Sequence, residues 1–117
     1  MAMQVLINSY PLDVKNIDLA VTKKSAGVYA LGTESQDGKT FLVRYVGRSD
    51  DDVNRRLKDH VEKYYRFMYQ YCVLPKDAFE SECHLYHDFG ETKLDNKIHP
   101  QRRDNSGWKC PRCEVFR

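Results

Sequence analysis

The chain has 117 residues, 41% hydrophobic and 12% aromatic, which suits one compact domain and excludes a disordered chain. Its net charge of +2 is low for a nucleic-acid protein, so a phosphate-binding surface would have to come from local clusters such as Arg44, Arg48, Arg55, Arg56 and Lys58, or Lys97, Arg102, Arg103 and Lys109, each of which otherwise reads as a solvated face. No apolar run is long enough to cross a bilayer and the N-terminus lacks the order of a signal peptide, so no membrane partner is expected, a cytoplasmic location is, and the four cysteines should be reduced and serve metal binding or chemistry.

Residues 1–25 read as an N-terminal extension packing on the core. Val5-Leu6-Ile7 and residues 14–21 are apolar enough to pack, and Pro11 breaks them. From Gly27 the pattern sharpens. Residues 27–31 read as a strand, Asp37-Gly38 as a hairpin turn, and residues 40–47 as the returning antiparallel strand. Ser49-Asp50-Asp51-Asp52 supplies capping oxygens for a helix. Val53, Leu57, Val61 and Tyr64 recur at helical spacing, and Arg56 and His60, four apart, would share a flank. Residues 67–74 read as a third strand, and a second helix runs from Pro75 to about Phe89. Its stripe, Ala78, Glu82, Leu85 and Phe89, holds a carboxylate, which is costly to bury unless paired or metal-bound.

Taken in order, Gly27-Val28-Tyr29, Tyr45-Val46-Gly47-Arg48-Ser49, Arg56-Leu57-Lys58-Asp59-His60, Ala78 with Glu82 and Leu94-Asp95-Asn96 resemble the GIY-YIG nuclease superfamily. No single piece is specific; the ordered set is. Two departures stand out: a longer stretch between the tyrosine motifs, and the acidic triplet Asp50-Asp51-Asp52 close to where a phosphate would approach. The resemblance implies an endonuclease that hydrolyses phosphodiester bonds of nucleic acid, DNA in preference, with Mg²⁺ or Mn²⁺. It implies Tyr29 as base, His60 assisting, Tyr45 at the phosphate, Arg56 as electrostatic clamp, Arg48 as a further basic group and Asn96 near the metal. Glu82 is the carboxylate for that metal, since Mg²⁺ takes only one or two protein carboxylates. Singly, Tyr29 and Tyr45 read as ordinary strand tyrosines, Arg56 and His60 as a solvated flank, and Glu82 as the partner of a buried arginine.

The tail after Gly90 is poor in large apolar residues and needs another support. Cys83 and His87, four apart, with Cys110-Pro111-Arg112-Cys113 make a plausible tetrahedral Zn²⁺ set, with His99, or His84, as alternative ligand. A redox reading of the Cys-x2-Cys pair is rejected, because too little chain follows for a helix that would lower a thiol pKa. The expectation is therefore an α/β fold. It has a small three-stranded antiparallel sheet flanked by helices, a nuclease-like core over 26–98, and a zinc-stapled segment over 99–117 of the same domain. The alternative function is a non-catalytic module that binds nucleic acid or a protein.

Overall fold

A computed structural model describes residues 9–89, 93–95 and 98–116, and the backbone of residues 2–5. In chain order the elements are β1 (Ala2–Val5), β2 (Tyr10–Pro11), α1 (Val14–Ala20), β3 (Gly27–Glu34), β4 (Thr40–Ser49), α2 (Val53–Lys58), β5 (Arg66–Tyr71) and α3 (Pro75–Asp88). The sheet has five strands, not the three expected, in the order β1-β4-β3-β5-β2, and every pairing is antiparallel. The two extra strands lie at its edges, and β2 is only two residues long.

The central strand β3 is buried along most of its length, so both faces of the sheet are covered. Alternation along it separates two cores. Tyr29 and Leu31 pack with Ile17 of α1 and Val53 and Leu57 of α2. Val28 and Ala30 turn the other way, towards Ala78 and Tyr86 of α3. The β3–β4 hairpin turns where the sequence suggests: Gly38 takes a positive φ of 72°, and Asp37 accepts from the Lys39 amide at 3.0 Å. Between the Leu31–Tyr45 and Gly32–Val43 pairs the register shifts by one residue, leaving Arg44 as a bulge. The bulge resets the alternation, so Phe41, Val43 and Val46 all face the α3 core while Tyr45 faces the other.

β3 and β4 run a few residues further than the sequence reading has them, and two other elements stop short of it. The third strand runs Arg66–Tyr71; Val73 is 91% exposed, and Leu74 is the extended cap of α3, as the residue before Pro75 tends to be. Helix α2 stops at Lys58, and Glu62 at φ 75° prevents its continuation through Val61 and Tyr64. His60 therefore sits in the turn after α2, with its amide bonded to Leu57 O at 3.0 Å, and not on the helix flank. Residues 14–20 form a helix, started by Asp13, whose side chain accepts the Asn16 amide at 2.7 Å.

Candidate active site and metal centre

Six of the seven residues singled out from the sequence, Tyr29, Tyr45, Arg48, Arg56, His60 and Glu82, line one open cleft of about 670 Å³. Asn96 lies outside the described residues. The cleft forms where β3 begins and β4 ends, beside α2 and α3. Tyr29 and Gly47 are cross-strand partners, and the tyrosine ring lies across the glycine. A Cβ at Gly47 would stand 2.5 Å from both Cζ and the hydroxyl of Tyr29, so the ring can occupy that place only over glycine. From there the Tyr29 hydroxyl reaches Nε2 of His60 at 3.0 Å. The Tyr45 ring also meets this imidazole, with centroids 5.1 Å apart and planes tilted by 48°, and it meets Tyr64 at 6.0 Å.

Across the cleft, the Arg48 guanidinium donates from Nε to Asp50 at 2.9 Å and from Nη1 to Glu82 at 2.8 Å. It lies 5.1 Å from the centre of the Phe79 ring, which is fully buried beneath it. Glu82 is a buried carboxylate, and Arg48 is the ion-pair partner that makes this tolerable.

Burial dominates the titration of these groups. It raises the pKa of Tyr29 well above the ordinary phenol range; Tyr45, Glu82 and Asp59 add to the rise and Arg56 opposes it. It raises Tyr45 as well, with Glu82 contributing. His60 is lowered by burial, then by Lys63, so the neutral imidazole is favoured and its Nε2 can accept the Tyr29 proton. Glu82 is raised by burial, with Arg48 pulling the other way.

The acidic triplet that counted against a phosphate site is accounted for group by group. Asp50 is shared between Arg48 and Arg103, Asp51 takes the Ser49 hydroxyl at 3.1 Å, and Asp52 caps α2. Sequence reasoning missed Lys63 and Gln101 as cleft residues, and it named Asp50 and Arg103 as candidates near a phosphate without bringing them together. It also missed the carboxylate of Asp95, which Tyr64 meets at 2.8 Å and Arg44 at 3.0 Å. Asp95 was visible only as part of the Leu94-Asp95-Asn96 motif.

A second cluster lies at the end of α3. Nitrogens of His87 and His99 and the sulfurs of Cys110 and Cys113 all fall within 4.8 Å of one another. Neighbouring ligand atoms are 3.3 Å (His87 to His99), 3.5 Å (Cys110 to His87) and 3.4 Å (Cys113 to His99) apart. Tetrahedral zinc, with bonds of about 2.0 Å to nitrogen and 2.3 Å to sulfur, spaces its ligands roughly 3.3–3.8 Å apart. The four can thus hold a metal such as zinc. His99 Nδ1 lies 2.9 Å from the Pro100 carbonyl, which fixes the tautomer that offers Nε2. The Arg112 amide donates to Cys110 at 3.4 Å. Burial opposes ionisation of Cys110, but this amide, His99, Cys83 and His87 together hold its thiol below the ordinary range.

Cys83 lies outside this group of four, and His99 completes it instead. Cys83 is fully buried beside Phe79 and Cys110, and burial and contact with Cys110 push its thiol pKa up. No helix among the described residues is long and apolar enough to cross a membrane. No family model, no characterised protein and no solved structure matches this chain.

Proposed function

We propose that the chain is a metal-dependent endonuclease of the GIY-YIG type, acting on nucleic acid, DNA in preference. The observation that carries this reading is the convergence of Tyr29, Tyr45, Arg48, Arg56, His60 and Glu82, scattered over 54 positions of sequence (82 − 29 + 1), on one cleft. The cleft wall carries four basic side chains (Arg48, Arg56, Lys63, Arg103) and four acidic ones (Asp50, Asp51, Asp59, Glu82). So balanced a wall needs an added cation before it welcomes a phosphodiester, which favours metal dependence.

The donor set suits a hard cation that keeps most of its waters: of the four carboxylates lining the cleft, Glu82 is the buried one, and Arg48 engages one of its oxygens. Mg²⁺ or Mn²⁺, when bound, supplies Lewis acidity towards a phosphoryl oxygen and the attacking water. The rest falls to the chain's own groups. Neutral His60 accepts the hydroxyl proton of Tyr29 as Tyr29 takes a proton from the water, so the costly buried phenolate need not form beforehand. Arg56, whose charge already favours the Tyr29 anion, presents its fork to the phosphate oxygens. Tyr45 braces His60 and can donate to the phosphate.

A panel of DNA and RNA structures with Mg²⁺ or Mn²⁺ tests this. Wild type should cut at least one of them, and Tyr29→Phe and Glu82→Gln should each lose about a hundredfold or more in kcat. Folded wild type that cuts none refutes it. The Arg48–Glu82 ion pair favours a second reading, a module that holds nucleic acid without cutting, because it occupies the carboxylate a metal would need. Salt-dependent binding without turnover would select that reading.

A further inference from the structure

We propose that Arg103, carried on the tail held by the His87, His99, Cys110 and Cys113 cluster, is a positioning residue of the cleft: through Asp50 it sets the Arg48–Glu82 pair. The proposal rests on the reading of the cleft given above. Arg103 Nε lies 3.4 Å from Asp50 Oδ2, the oxygen that Arg48 does not use; Arg48 takes Oδ1 at 2.9 Å and reaches Glu82 at 2.8 Å. One carboxylate is thus divided between two guanidiniums. Asp50 alone would compensate the charge of Arg48 and draw it away from Glu82 and from an incoming phosphate. Arg103 neutralises that pull and fixes the carboxylate's orientation.

Arg103 is itself placed by the tail. Its guanidinium lies 5.4 Å from the centre of the Trp108 ring, and Trp108 packs on Phe79 at 5.5 Å. Phe79 is the ring over which Arg48 lies. Trp108 stands two residues before Cys110, and its carbonyl accepts from Arg102 at 3.0 Å. The tail and α3 therefore meet in one apolar cluster of Phe79, Cys83, Cys110 and Trp108, which includes the metal ligand Cys110 and whose rings Phe79 and Trp108 carry Arg48 and Arg103. Such a contiguous set of packed rings and ion pairs can couple the two sites.

The test uses the 117-residue chain loaded with zinc. Arg103 is about half exposed, so Arg103→Gln is expected to fold. Its kcat on the preferred substrate should fall about tenfold with KM changed less than about threefold, and Arg103→Lys should recover part of the loss. Independently of turnover, the ¹H–¹⁵N resonance of Arg48 Nε, assigned with Arg48→Lys, should move in Arg103→Gln. It should move likewise in Trp108→Leu that retains its zinc by elemental analysis. An Arg48 signal unmoved by both variants overturns the proposal whether or not the wild type cuts. A moved signal with unchanged kcat in an active enzyme also overturns it. A wild type that cuts nothing refutes the nuclease reading, and the resonance then decides this proposal alone.

Discussion

Replacing Gly47 by alanine tests the geometry of the tyrosine pair most directly. The new Cβ would sit 2.5 Å from Tyr29 Cζ and Oη, and ordinary carbon contact needs about 3.5 Å, so the ring has to withdraw by roughly 1 Å. The ring is almost fully buried, so that movement overpacks the core at a cost of about 1–3 kcal/mol. The same movement displaces the hydroxyl that meets His60 at 3.0 Å, and loss of that hydrogen bond adds about 1 kcal/mol. Gly47→Ala should therefore lose about 2–4 kcal/mol in urea unfolding, at unchanged m-value. Tyr29→Leu with Gly47→Ala should lose about 1–3 kcal/mol less than the sum of the two single changes, because leucine removes the clash. The ¹⁵N signal of His60 Nε2 reports the hydrogen bond in the same samples. A Gly47→Ala protein within about 0.5 kcal/mol of wild type, with the His60 signal unmoved, refutes the placement of Tyr29 over Gly47.

Two further outcomes follow from the described geometry. Purified without chelator, the chain should carry one zinc; His99→Ala should lower its affinity at least tenfold, whereas Cys83→Ala keeps the stoichiometry, both read by elemental analysis and competition with a chromophoric chelator. The folded pKa of His60 lies below its ordinary 6.5, so its contribution to stability is complete above pH 6.5 and is lost as pH falls through the folded value; His60→Gln should flatten that acid limb in urea midpoints measured from pH 7.5 to 5.

The hairpin, α3 and the cleft were legible because their signals are local and repeated. Asp37-Gly38 marks the turn, Pro75 opens α3, and Glu82 interrupts an apolar stripe. Helix α1 was not legible because it is short: seven residues give one buried anchor, Ile17, with Ala20 and Val21 beside it, while Val14 (51% exposed) and Leu19 (68%) blur that face. The end of α2 was hidden because Val61 and Tyr64 keep the helical period while the chain has already turned. Cys83 and His87 share a helix, which the sequence shows. The return of His99 to His87 depends on the course of the tail between α3 and the Cys-x2-Cys pair, which no spacing encodes. The acidic triplet reads from sequence as a repulsive patch because charge counts do not show that Arg103, 53 positions beyond Asp50, comes back to meet it.

The bulge at Arg44 makes β4 a strand of two parities. Beyond Phe41, towards the turn, residues can be added to or removed from the hairpin in pairs, one on each strand, without changing which side chains meet α3. A single residue gained or lost between Arg44 and Gly47 would instead exchange the two faces, sending Tyr45 to the side of Val46 and taking the glycine from under Tyr29. The long stretch between the tyrosine motifs is thus free to vary in length at its tip, while the three positions after the bulge tolerate no indel at all. Loop grafts, tags or sensor insertions belong at residues 35–39, where the turn can absorb them without shifting the phase of the site.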